Sequence, residues 1–155
     1  MMGASYAGFT QWAAAKFRHP ALKTIVPSVA VAPGVDFPRE NGIVLSFQYR
    51  WAHYVASGRL LNDSVYNDNA RWGRLDSTWF ARGTAYRELD RLDGTPNPLF
   101  RRWLDHPTYD DYWQRMIPTD AEFSRIDIPV LSITGYFDGA QPGAMHYYSR
   151  HTQAN

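Results

Sequence analysis

The chain has 155 residues, enough for one domain's core, and sixteen Lys plus Arg against fifteen Asp plus Glu leave a formal charge of +1. So even a balance excludes the single-sign field that draws in nucleic acid or an anionic membrane. Forty-five per cent apolar and 20% charged residues exclude disordered and fibrous classes, and zero Cys excludes disulfide frameworks, thiolate zinc sites and a cysteine nucleophile.

The apolar runs are only a few residues long, short of the ~20 that a membrane span needs. Ser5, Thr10 and Gln11 interrupt the first stretch, so no secretory leader is expected at residue 1. Phe9, Trp12, Ala13 and Phe17 stand at i, i+3, i+4 and i+8, which predicts an amphipathic helix that Pro20 ends. Leu22–Ser28 predicts a short strand centred on Ile25 and Val26, with Pro27 near its end, where a missing N–H costs least. From about 31 to 121 the pattern is mostly helical. Phe47, Trp51, Tyr54 and Val55 mark a helical face within 42–59, charges alternate with aromatics over 71–92, and two short helices break around His106 and Pro107. Ile128–Gly139 is a mostly apolar run ending in a turn, the pattern of a parallel strand buried on both faces, and 142–153 predicts the next helix.

This order predicts an α/β chain divided into a core segment 1–30, a helical insertion 31–121 and a second core segment 122–155. Two strands make a poor sheet, and the strand at Leu22 is expected to expose an edge.

Gly3-Ala4-Ser5-Tyr6-Ala7-Gly8 is a near match to the G-x-S-x-G nucleophile elbow, with Ala7 where the second Gly belongs and Gly8 one position late. In such an elbow the Ser sits on a strained strand-to-helix turn with its hydroxyl exposed, and the Tyr6 N–H at the helix start would face an oxyanion. The same residues also fit a plain turn with Ser5 as N-cap. Asp138, just past the apolar strand, lies where open α/β sheets place their sites and could orient a His, or else make a local Asx turn around Gly139. Of the five His, only His146 and His151 follow Asp138. Both fall in the predicted helix rather than on the loop expected for a base. Asp76, Glu88, Asp90 and Asp93 read as a solvated helix face, with Glu88 and Arg91 paired at i,i+3, and no His/Asp spacing suggests a metal site.

Taken together, GASYAGFTQWAAA, LKTIVPSVA, NGIVLSFQYRW, DHPTYDDYW and IPVLSITGYFDG resemble, in order and over nearly the whole chain, the serine hydrolases of the Xaa-Pro dipeptidyl-peptidase-like family. That family takes in cocaine esterases and α-amino acid ester hydrolases. The resemblance implies a partial α/β-hydrolase fold, an elbow and two parallel strands with an inserted helical cap. It implies Ser5 as nucleophile, the Tyr6 N–H as oxyanion donor and Asp138 as the triad acid. A small-molecule ester or amide, or an Xaa-Pro peptide-like substrate, would be cleaved through an acyl-enzyme without a cofactor. The family's His and further sheet strands find no match here, so an internal fragment, inactive alone, is expected. Ala140 replaces an aromatic beside the acyl pocket of cocaine esterases, which argues against aryl esters. A reading of another class makes the chain a non-catalytic module whose aromatic insertion grips an apolar ligand.

Overall fold

Strand β1 (Met2–Ala4) passes into helix α1 (Tyr6–Ala15) through a single residue, Ser5. The computed structural model describes residues 1–56 and 60–155. After α1 come β2 (Val26–Ser28) and two dipeptide strands, β3 (Arg39–Glu40) and β4 (Ile43–Val44). The helical stretch contains α2 (Gln48–Val55), α3 (Asp63–Tyr66), α4 (Asn69–Arg82), a 3₁₀ turn (Tyr86–Glu88), α5 (Leu89–Asp93) and α6 (Pro98–Asp105). The chain closes with α7 (Asp111–Gln114), α8 (Asp120–Phe123) and α9 (Gln141–Ala154). Residues 1–43 and 108–155 form one unit and 44–107 another.

In the first unit β1 pairs with β2 in parallel, Met2 opposite Val26 and Ala4 opposite Ser28. On the other edge of β2, residues 129–133 also run parallel: Leu131 N–H donates to Ile25 O at 3.1 Å and Ile133 N–H to Pro27 O at 3.0 Å. The segment expected to expose an edge is therefore the central one. Pro27 stands in its middle, with ladder bonds of Ile25 and Val29 to Pro129 and Ile133 on either side. The missing Pro27 N–H falls opposite the Leu131 carbonyl, so the 25–29 and 129–133 ladder is reduced to two bridges. Nor is 129–133 buried on both faces as its apolar run suggested. Leu131 and Ile133 are exposed, because among the described residues β2 is its only strand neighbour.

Helix α1 covers this sheet with Phe9, Trp12 and Ala15. It ends at Ala15 rather than at Pro20, Arg18 turns to positive φ, and Phe17 is left exposed instead of joining the stripe. Trp12 stacks on Tyr147 of α9 (5.1 Å, 7°) and meets Phe123 of α8 edge-on. A Thr119/Glu122 capping box starts α8, and the Tyr147 hydroxyl donates to Val31 O at 3.1 Å.

Two glycines decide how closely α1 and the sheet approach. A Cβ on Gly8 would lie 2.8 Å from Ala30 Cβ and 3.1 Å from Ser28 O, so the one-late Gly of the elbow is the position where α1 crosses β2. A Cβ on Gly3 would lie 2.8 Å from Ala7 Cβ, so strand and helix close on each other only with small residues at both ends of the turn.

In the second unit the buried face of α2 is Gln48, Tyr49 and Ala52; Phe47 is exposed and Trp51 half-buried, so the helix forms but turns another face inward. Positions 57–59 of the predicted stretch lie outside the described residues. Asn62, Asp68 and Asn97 cap α3, α4 and α6 with side-chain bonds. Asp90 and Asp93 are not a solvated face. Arg101 forks onto buried Asp90, and Arg71 Nε and the Tyr49 hydroxyl donate to Asp93 at 3.1 and 2.9 Å. Burial opposes ionisation of Asp93, but these donors outweigh it and hold the carboxyl below its ordinary range. Glu88 and Arg91 pair at 2.6 Å as expected.

The glycine contacts predict a contrast. Gly8→Ala should destabilise the protein by about 1–3 kcal/mol, because the β2 backbone must move. Gly73→Ala, where a Cβ meets nothing within 4 Å inside α4, should stabilise it by about 0.5–1 kcal/mol. Urea unfolding of both variants checks the pair; equal effects would mean that α1 is not pressed against β2.

Candidate active site

Ser5 holds φ 57° and ψ −121°, a conformation that costs a non-glycine residue about 1–3 kcal/mol and persists only where its surroundings over-determine it. The surroundings are visible. Ser5 N–H donates to Ser28 O at 2.9 Å, which continues the β1–β2 ladder, while Ser5 O accepts from Gly8 and Phe9 N–H and begins α1. The chain thus reverses from strand to helix within one residue. Ser5 occupies the N-cap position, yet its side chain caps nothing, whereas an ordinary N-cap Ser sits in the β region and accepts from N2 or N3. Tyr6 is the first helical residue, so its N–H has no acceptor within α1.

Asp138 lies beyond the end of the other strand neighbour of β2. Ala4 and Ile133 are both aligned with Ser28, one on each side, so Ser5 is one residue and Asp138 five residues past the same level of the sheet. Their strands are two spacings apart, roughly 10 Å. Ser5, Tyr6 and Asp138 therefore all lie past the carboxyl ends of three parallel segments, the edge where open α/β sheets place their sites. The Asp138 carboxylate accepts from Ala140 N–H at 2.8 Å in an Asx turn around Gly139, and Asp138 O accepts from Gln141 N–H as α9 begins. Tyr136 and Phe137 beside it are exposed.

Neither histidine of α9 joins this group. His151 meets the Trp12 ring edge-on at 5.5 Å and its Nδ1 lies 3.2 Å from the Asn155 amide. His146 is pushed down to about 4 by burial, with Arg150 adding to the effect. His53 belongs to the other unit, where burial lowers its pKa although Asp93 lies 3.6 Å away. His19 accepts from Ala21 N–H through Nδ1, and His106 follows α6 as its C-cap. No cluster of three metal-ligating side chains occurs among the described residues.

Two buried polar side chains whose roles have no local motif, Asp36 and Gln11, hold the elements of the site. Asp36 accepts from Ala32 N–H and, across 107 residues, from Gly143 N–H in the first turn of α9, both at 2.7 Å. It serves as a remote cap for the helix that follows Asp138, and a Cβ on Gly143 would lie 2.6 Å from Ala32 N. Burial pushes its carboxyl up to about 6 against the pull of these two donors. The other is Gln11, within α1, which is 1% exposed. Its own signal in the sequence was a lone amide inside the nearly apolar helix YAGFTQWAAA.

A serine on a strained strand-to-helix turn at the carboxyl edge of parallel strands places the chain among mixed α/β proteins that build sites at that edge. The family model for X-Pro dipeptidyl-peptidase (S15 family) matches residues 1–155. The cocaine esterase of Rhodococcus sp. (strain MB1 Bresler) is 30% identical over 149 residues, covering 90% of this chain and 26% of that protein. A selenomethionine-labelled α-amino acid ester hydrolase structure shares the fold at TM-score 0.75 and 22% identity, over 99% of this chain and 25% of that one. The chain belongs to the X-Pro dipeptidyl-peptidase (S15) family. It spans about a quarter of the length of each relative.

Asp36 and His146 predict opposite contributions to stability as pH changes. The raised pKa of Asp36 gives stability that is full below about 3.8 and lost as pH rises through about 6. The lowered pKa of His146 gives stability present above 6.5 and lost as pH falls toward about 4. Relative to wild type, Asp36→Asn should gain stability as pH rises from 4 to 6 and His146→Gln should lose it over 4 to 6.5. Urea midpoints across this range check the slopes; curves parallel to wild type would contradict both assignments.

Proposed function

We propose that the protein of which residues 1–155 form a part cleaves ester or amide bonds through an acyl-enzyme, with Ser5 as nucleophile and Asp138 as the triad acid. One observation carries the reading: Ser5 is held at positive φ between β1 and α1 with a side chain that caps nothing. A serine used only to start a helix has no need of that conformation, since the β region and a side-chain cap are available to it at lower cost.

In this mechanism the Ser5 hydroxyl attacks the carbonyl carbon of a small ester or amide, and a histidine takes its proton. The Tyr6 N–H donates to the developing oxyanion, where one such donor is typically worth about 10²–10³ in rate. Asp138 holds the imidazole in the right tautomer and stabilises its cation; the leaving alcohol or amine then takes the proton, and water releases the acyl group from Ser5. We assign the base to sequence outside residues 1–155. His151 is engaged by Trp12 and Asn155, and His146 lies on α9 with a basicity too low to suit a base at neutral pH. The helical insertion expected over 31–121 is the proposed cap that shapes the acyl pocket, and its 44–107 part forms a unit of its own. A preference for acyl groups that are not aromatic fits Ala140, the small residue after the Asp138–Gly139 turn.

Two measurements test this. In the full-length protein a fluorophosphonate should form an adduct on Ser5 that Ser5→Ala abolishes; failure to label Ser5 would overturn the nucleophile and favour a binding module. Residues 1–155 alone should give no Ser5-dependent hydrolysis of p-nitrophenyl acetate, since loss of a triad member leaves only about 10³–10⁴ over water. Robust turnover lost in Ser5→Ala would place the base within this chain.

A further inference from the structure

Gln11 sits one helical turn past the elbow, 1% exposed, and uses its amide in three directions. Its Nε2 donates to Gly3 O at 3.1 Å and to Ala7 O at 2.8 Å, and its Oε1 accepts at 2.9 Å from Val26 N–H, which donates to Met1 O at 2.9 Å as well. Gly3 and Ala7 stand two residues before and two residues after Ser5, and Val26 begins the central strand. We propose that Gln11 is a positioning residue for the nucleophile: one side chain spans both arms of the turn that carries Ser5 and fastens them to β2. The proposal rests on the reading of Ser5 as nucleophile.

The physical case is one of competing costs. A buried amide costs free energy unless its donors and acceptor are paired, and an apolar side chain of similar size would fill the site without that penalty. What an apolar side chain cannot do is bridge the two carbonyls. Ser5 N–H to Ser28 O fixes the turn at its apex, and the Gly3 and Gly8 contacts limit how closely helix and strand approach. Only Gln11, among these restraints, joins the incoming strand to the outgoing helix across Ser5. Without it, the strained Ser5 can relax by sliding β1 against α1, which moves its hydroxyl relative to a carbonyl held at the sheet edge. Misplacement by about 1 Å can cost on the order of a hundredfold in reactivity.

The test uses the full-length protein and compares the rate of fluorophosphonate labelling at Ser5 in wild type, Gln11→Met, Gln11→Glu and Ile117→Val. Ile117 is buried in the same unit but takes no part in the elbow, so its variant reports the effect of lost stability alone. Gln11→Met should lower the rate about tenfold or more, beyond any loss in Ile117→Val when the two are compared at temperatures equally far below their unfolding midpoints. In Gln11→Glu the carboxylate can accept from Val26 N–H but repels the Gly3 and Ala7 carbonyls; protonated, it donates to one of them. Its rate relative to wild type should therefore rise as pH falls from about 8 to about 5, because burial against two carbonyls raises its pKa. A wild-type rate in Gln11→Met, a loss no greater than that of Ile117→Val, or a Gln11→Glu ratio flat with pH would each overturn the proposal. If wild type itself resists the probe, the nucleophile reading fails instead, and a crystal structure of Gln11→Met decides separately. Ser5 leaving positive φ would support the positioning role, and an unchanged turn would refute it.

Discussion

The structure of the first unit depends on the close crossing of helix α1 over strand β2 at Gly8. With no side chain at that position, α1 lies against Ala30 and the Ser28 carbonyl, and the chain has a single residue in which to turn from β1 into the helix. The conformation of Ser5 follows from this geometry: its N–H remains in the ladder with Ser28 while its carbonyl already accepts the first helical bonds. Trp12, a turn further on, then meets Tyr147 and Phe123, so the same crossing fixes where α8 and α9 pack. Asp138 is carried to the sheet edge by the segment on the opposite side of β2 and leads directly into α9.

Buried carboxylates are handled in two ways. In the 44–107 unit Asp90 and Asp93 are met by Arg101 and Arg71, and both are held below the ordinary carboxylate range. Removing either arginine would leave an uncompensated buried charge, the most damaging kind of loss for such a pair. Asp36 is met by two backbone N–H groups, one of them from the start of α9, and burial raises its pKa. The first arrangement ties helices within the insertion to one another. The second ties the loop after β2 to the helix that follows Asp138, and with a raised pKa its contribution weakens as pH rises through about 6.

Much of this was legible from local pattern. Small residues around Ser5 marked the elbow, the helical spacing of apolar residues marked α1 and α2, and the turn that ends Ile128–Gly139 marked Asp138. The elbow's one-residue offset was visible but its reason was not, because the partner of Gly8 is Ala30, far along the chain. Long-range pairing also hid the strand order: nothing local in LKTIVPS says that it lies between two neighbours, and Pro27 argued for an end rather than a centre. On α2 both faces carry aromatics, so periodicity located the helix without identifying the buried side. Asp90 and Asp93 resembled surface acids because their arginine partners lie 11 and 22 residues away. Gln11 and Asp36 follow the same rule, because the partners that matter most, Val26 for one and Gly143 for the other, lie 15 and 107 residues away.

The central claim is that Ser5 and Asp138, brought to one sheet edge by parallel strands on either side of β2, serve a single reacting centre. The most direct test is a crystal structure of the full-length protein with both side chains resolved. The account predicts one histidine, from outside residues 1–155, with one ring nitrogen about 3 Å from Ser5 Oγ and the other at similar distance from the Asp138 carboxylate. An imidazole absent from the space between them, or Ser5 and Asp138 facing different cavities, would contradict it.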